Sequence, residues 1–215
     1  MLTAELLKLK RNPMGLGLAV AGLALPVLVF AANQMNPSMQ VKANGEAYLL
    51  PAHAVLALLT PYLLALETQQ ATAKWILTTP TSALKVLFEK IAVILLLVVL
   101  SLGVSFALGN LPESGAAFGA GLAGVVSSLG TLVLLSALTR NFALVLVVGF
   151  AWMQIIPRMV LALPENLQPV LAAGLPGMGI THFSGDSEHQ WIRIAMTALI
   201  WALALTLWKK RGITL

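Results

Sequence analysis

LETQQATAKWILTTPTSALKVLFEKIAVILLLVVLSLGVSFAL, residues 66–108, opens on charges, amides and hydroxyls and closes on an unbroken apolar run. The closing half decides the fold. From Leu87 to Leu108 the ionisable residues are Glu89 and Lys90, both near the start. A hydrocarbon core of about 30 Å takes roughly 20 mostly apolar residues as an α-helix, and this run supplies them. The rest of the chain is written the same way: 59% hydrophobic, 10% charged, mean hydropathy +0.90. Such values lie outside the range of soluble globular chains. Six stretches qualify as spans: Met14–Ala32, Leu49–Leu66, Leu87–Leu108, Ala116–Leu138, Phe142–Leu163 and Trp191–Trp208. They consume well over half of the 215 residues, so residues 1–215 are predicted to form a single all-α integral membrane domain.

Short cytoplasmic loops collect Lys and Arg, which fixes orientation. With both termini inside, Lys8, Lys10, Arg11, Lys74, Lys85, Lys90, Arg140, Lys209, Lys210 and Arg211 fall on the inner face, against Lys42, Arg158 and Arg193 outside. Both ends are basic, which agrees with an even number of spans. The net charge of +5 therefore reports orientation against anionic lipid headgroups and does not imply nucleic acid. Cysteine is absent, which excludes disulfides, thiolate metal sites and cysteine nucleophiles. The N-terminal MLTAELLKLKRNPMGLGLAVAGLALPVLVFAA has the basic and apolar regions of a secretory signal, but its apolar run exceeds the usual length, so a retained first helix is expected. Ahead of it, Leu2, Leu6 and Leu9 share one helical face with Glu5 and Lys8 towards another, the pattern of a short helix lying in the inner interface. A plain lead-in to the first span would look the same.

The polar half of the opening stretch reads as helix, corner, helix. Leu66 to Thr78 contains no Gly or Pro, with Leu66, Ala73 and Leu77 on one face. Pro80 cannot continue that helix and pushes Thr79 towards an extended backbone. Thr79 then stands at an N-cap with Pro80 at the first helical position. The second helix runs into the third span, with Leu84, Leu87, Phe88 and Ile91 on its apolar side and Lys85, Glu89 and Lys90 towards headgroups or protein. A rigid polar knob of this kind suits docking of a cytoplasmic partner; a plain helix-to-helix connector has the same spacing.

Glu67, thirteen residues before Pro80, with Thr79 and Ser82 flanking the proline and Lys90 ten residues beyond it, resembles the inner loop of membrane subunits of type-2 ATP-binding-cassette exporters. Ala71 stands where that loop usually has glycine, followed by Thr72. ELLKLKRNP near the start is similar to the opening of the lantibiotic-immunity and bacitracin-resistance branch. The resemblance implies a permease subunit moving a hydrophobic or amphipathic substrate (peptide, antibiotic or lipid-like) out of the cytoplasm or membrane. It implies a bacterial inner (plasma) membrane location with both termini cytoplasmic, and a separate ABC ATPase carrying ATP and Mg. It also implies a second permease half, from a homodimer or a paralogue. Glu67, Lys74, Thr79, Pro80, Ser82 and Lys90 become the ATPase-coupling residues of a hairpin between spans 2 and 3. The chain itself has no G-x-x-x-x-G-K-[ST] phosphate loop and is not expected to be an enzyme.

Duller readings accompany the other polar features. Pro26, Pro61 and Pro157 are kink positions. Gly115, Gly119, Ala120 and Gly124 give the fourth span a small-residue face for close helix approach, within the chain or across a homodimer. Gln154 and Arg158 share a face of the fifth span and are candidate pathway residues, although Arg158, near the outer end, is suited to snorkelling. PENLQPVLAAGLPGMGITHFSGDSEHQ, residues 164–190, is too rich in Pro and Gly for a span yet partly apolar, which predicts short re-entrant outer helices before span 6. His182, Asp186, Glu188 and His189 lack the framework a metal site needs, so no metal, cofactor or catalytic residue is assigned. The serine of FSGD has no nucleophile elbow around it, and His53 has no partner at readable spacing. The competing functions are the substrate-binding membrane subunit of an uptake system, which needs no coupling hairpin, and a non-transport scaffold or channel.

Overall fold

The computed structural model describes residues 2–35, 49–66, 83–108, 115–177 and 189–212, and all regular structure among them is helical. The elements are α1 (Leu2–Arg11), α2 (Pro13–Met35), α3 (Leu50–Thr60, continued by a π-helical turn Pro61–Leu66), α4 (Ala83–Ala107) and α5 (Gly115–Thr139). They continue with α6 (Phe142–Phe150, continued by a π-helical turn Ala151–Ile155), α7 (Ile156–Leu161), α8 (Gln168–Gly174) and α9 (Gln190–Gly212).

Local chemistry explains the breaks. Asn12 separates α1 from α2: its Oδ1 accepts from the backbone N–H of Met14 at 3.0 Å and of Gly15 at 3.4 Å, and Pro13 occupies the first helical position. Arg140, at φ 50°, reverses the chain after α5, and Asn141 caps α6 by accepting from Leu144 N–H at 3.1 Å. Two of the three prolines noted as kinks sit beside π-helical turns, Pro61 opening one and Pro157 following the other. Pro157 lacks the N–H that an α-turn requires and crowds a carbonyl one turn back, inside Ala151–Ile155; widening that turn relieves both. Pro26 lies inside α2 without interrupting it.

Among the described residues five helical stretches are long and apolar enough to cross a membrane: Pro13–Ala32, Ala83–Ala107, Phe118–Thr139, Phe142–Leu161 and Gln190–Lys210. The chain is thus a multi-pass membrane protein. The sixth expected span, Leu49–Leu66, corresponds to α3 and its π turn, but the apolar helix Pro51–Leu66 is shorter, about 24 Å at 1.5 Å per residue. It is also the centre of the bundle. From Pro51 to Ala65 every residue is buried except Ala54 and Leu58, which are half-buried. α2, α4, α5 and α6 pack around it.

Close approaches give the helix directions. Gly15 lies against Tyr62 and Gly22 against Val55, so α2 and α3 are antiparallel; Gly149 lies against Leu132 across the Arg140 reversal. α5 and α9 are parallel, Gly130 meeting the Trp201 ring. We call the face at which α2 starts proximal and the other distal. α1 crosses the proximal end against α2 and α4, with Leu9 buried and Leu6 half-buried, as its apolar stripe predicts. The expected close packing at Gly115 and Gly119 is not found within the chain. Both face open space, and the nearby intimate contact is an edge-on stack of Phe106 and Phe118, centroids 5.6 Å apart.

Lipid tails are as apolar as the core, so burial itself does not drive these helices together; packing and interhelical hydrogen bonds do. Val20, Leu28, Val99, Val147, Phe150 and Leu199 accordingly project outward. Hydroxyls inside the helices mostly bond the carbonyl one turn back, as Ser128 does to Gly124, Ser136 to Leu132 and Thr206 to Ala202. Ser101 reaches across instead, donating to Gly22 O of α2 at 3.5 Å.

Candidate functional site

Several polar groups that cross between elements converge at mid-bundle, where the chain between α7 and α9 meets α5. After α7, a turn closes with Leu167 N–H donating to Pro164 O at 2.9 Å. The Gln168 amide then donates back to the carbonyls of Leu161 at 3.2 Å and Leu163 at 2.7 Å, covering the end of α7. α8 follows for seven residues, buries Ala173, and ends before an extended Leu175. Its continuation, Pro176–Gly177, is buried.

That short non-helical backbone is held from two sides. Trp152, presented by the π turn of α6, donates Nε1–H to Pro176 O at 2.7 Å. Gly177 N–H donates to Ser127 Oγ at 2.9 Å. Ser127 is the midpoint of α5, so this non-helical backbone sits halfway down the bundle rather than at its rim. Irregular backbone at that depth is stable only where protein covers it and satisfies its polar groups, and Trp152 and Ser127 do both. Gly177 has φ +71°, and a Cβ there would run into Thr131 Oγ1. Glycine is required for both conformation and space.

Ser127 has a second partner. Thr197 of α9 donates to Ser127 Oγ at 3.0 Å, while Thr131 donates to Ser127 O at 3.1 Å within α5. One helical turn below Thr197, Trp201 packs flat on Gly130 and donates to Val126 O at 3.2 Å. One turn above it lies Arg193, 2% exposed. Residues 193, 197, 201, 204 and 208 make the inward stripe of α9, which faces α5 and α4. Arg193, counted among the outer charges, is thus buried against protein near the distal end of α9.

The sequence-derived residues fall elsewhere. Glu67, Lys74, Thr79, Pro80 and Ser82, and with them the hairpin, lie outside the described residues, as do His182, Asp186 and Glu188. Lys90 is 3% exposed, two turns into α4 between the buried Leu87 and Ile91, whereas Lys85 and Phe88 point outward. Gln154 is half-buried in the π turn of α6, and Arg158 is exposed, one turn nearer the distal face. The structure brings neither into the junction around Ser127. Among the described residues no three His, Asp or Glu side chains are grouped to hold a metal ion.

Sequence reasoning passed over Ser127, Trp152, Gly177, Thr197 and Arg193. A signal for the first was present: Ser127, Ser128 and Thr131 put two hydroxyls at i, i+4 inside an apolar helix, the usual mark of an interhelical contact.

The arrangement has no nucleophile, acid–base pair or phosphate cradle; what it does is fasten a broken element to two long helices. Comparison with protein families gives this a context, because a model described as ABC-2 family transporter protein matches residues 1–172. The chain belongs to the ABC-2 transporter family. The match covers 172 of 215 residues, from α1 into α8. An ABC-2 chain is the membrane component of its transporter and not its ATPase, and membership implies an ABC ATPase partner and a lipid bilayer. Searches of curated proteins and of solved structures return no match to this ABC-2 chain.

Proposed function

We propose that this chain, as one permease domain over residues 1–215, is half of an ATP-driven exporter for a hydrophobic or amphipathic substrate. The observation that carries it is the family match along 172 residues of a multi-pass chain that has no phosphate-binding loop of its own. ATP and Mg are bound by the partner ATPase, and two permease halves with two ATPases make the working unit. The excess of Lys and Arg at the proximal face makes that face cytoplasmic, with both termini inside a bacterial inner membrane. The ELLKLKRNP opening favours the lantibiotic-immunity branch, hence an amphipathic antimicrobial peptide or a related compound as substrate.

In this reading Glu67 to Ser82 is the coupling hairpin, with Glu67 and Lys74 as its charged contacts, Thr79–Pro80 as its corner and Lys90 anchoring the helix that leaves it. Gln154, the more buried of the two candidate pathway residues, faces the route, and Arg158 reaches the outer interface. The test is co-purification of the ATPase with Glu67→Ala, Pro80→Ala and Lys74→Glu, alongside ATP hydrolysis and transport in vesicles. Both alanine variants insert normally but lose coupled activity, and Lys74→Glu associates more slowly, most strongly at low salt. Wild-type coupling in all three removes the hairpin from the mechanism. Failure of any ABC ATPase to co-purify with the wild-type chain removes the exporter reading.

A further inference from the structure

The junction at Ser127 is one end of a longer connection. At the other end of α9, Trp208 donates Nε1–H to Ala83 O at 3.1 Å. Ala83 is the first residue of α4, directly after the segment 67–82. One helix therefore touches both the exit of the inner connector and, through Ser127, the buried tip at Gly177. α9 runs 23 residues without proline, its only glycine being Gly212 at the end. Thr197 and Trp208 are eleven residues apart on the same stripe, about 17 Å along the axis. Between them Trp201 fixes the same helix to Val126. The inward side of α9 packs chiefly against α5, and most of the rest of the helix faces outward.

Across this length the fastenings are directional: indole N–H groups and hydroxyls donating to fixed oxygens of other elements. A straight helix held at two joints passes a displacement of one to the other as rigid-body motion, which a flexible connection would absorb.

Building on the permease reading above, we propose that α9 is the strut that keeps the exit of the inner connector and the buried Pro176–Gly177 tip in step. Its joints are Trp208 on Ala83 and Thr197 on Ser127. Trp208 and Thr197 are then positioning residues: they touch no substrate and act through the tip, whose displacement changes exposure of the half-way point of the bundle on the distal side.

The experiment uses the chain with its co-purified ATPase in proteoliposomes. Because the chain has no cysteine, Ala173→Cys supplies a single thiol on the buried side of α8. Maleimide labelling is followed without nucleotide and with ATP plus vanadate. Trp208→Phe keeps an aromatic side chain, smaller than the indole, and loses the donor; Thr197→Val keeps the shape and loses the hydroxyl. Each lowers the nucleotide-dependent change in labelling by roughly fivefold, the equilibrium weight of one hydrogen bond, while bound ATPase and ATP hydrolysis are retained. Thr206→Val, whose hydroxyl bonds Ala202 of its own helix, leaves the change as it was. A full nucleotide response in both Trp208→Phe and Thr197→Val overturns the strut. So does a bound, active ATPase whose nucleotide state does not alter labelling in the parent. Absence of a co-purifying ATPase instead overturns the permease reading on which the strut rests.

Discussion

Gly177→Ala is the sharpest perturbation of the mid-bundle junction. The new methyl group is held at φ +71°, a left-handed backbone that costs a residue with a Cβ roughly 1–2 kcal/mol. It also runs into Thr131 Oγ1, with Thr131 Cβ 2.7 Å away and Ser127 O at 3.2 Å behind. The tip cannot retreat from that contact without giving up the bond from Gly177 N–H to Ser127 Oγ, a further loss of about 1 kcal/mol. Together these move docking of the tip by about 3 kcal/mol, or roughly a hundredfold in the undocked population. A cysteine introduced at the buried Ala173 reads that population, because a thiol reached only by opening reacts in proportion to the open fraction. The labelling rate rises by up to two orders of magnitude. Adding Thr131→Ala removes the oxygen that the methyl meets first and returns part of the effect, leaving the cost of the backbone conformation and the close approach to the Cβ of residue 131. An unchanged labelling rate in Gly177→Ala would show that the tip is not seated against α5.

Two further substitutions test packing elsewhere. Asn141→Ala deletes the α6 cap accepting from Leu144 and should lower stability by about 1 kcal/mol in an SDS titration of the folded chain; no loss would mean that the Arg140 reversal holds itself. Gly130→Ala places a methyl 2.7 Å from Trp201 Nε1, so the ring must shift and its bond to Val126 O is strained, for a net loss of about 1–3 kcal/mol. Gly119→Ala meets nothing within 4 Å and should be neutral or slightly stabilising; equal losses at both glycines would contradict the α5–α9 contact.

Five of the six expected spans were legible because hydrocarbon thickness acts on the chain through composition alone. Capping chemistry is just as local: Asn12 and Asn141 each cap the helix that follows through residues two or three further on. What stayed hidden is which side of each helix meets protein. In water an apolar stripe points to the core, but in lipid both directions are apolar and the stripe loses its meaning. Hence Gly115 and Gly119, the evident small pair, face open space, while Gly130 is the tight contact because Trp201 happens to lie opposite. Counting charges by membrane side says nothing of burial: Arg193 and Lys90 are both buried, and only knowledge of the neighbouring helices shows it. Pro61 and Pro157 marked irregular turns correctly, but a widened π turn and a bend require the same residue, so the presentation of Trp152 towards Pro176 was not readable. The inner loop, with the most distinctive sequence, lies outside the described residues.

The concealment of α3 changes what variation the helix can absorb. A helix that meets lipid drifts freely in shape but must stay oily; α3, wrapped by four neighbours, is released from the second demand and bound by the first. Its own residues already show the trade. His53 keeps one ring nitrogen bonded to Leu49 O and the other without a partner, and the Thr60 hydroxyl has none, yet both fill their places among leucines. Over generations α3 should exchange polarity more readily than bulk, while α9 does the reverse on its outward side. Hydropathy then misjudges tolerance in this chain at its central helix, where volume is the inherited quantity.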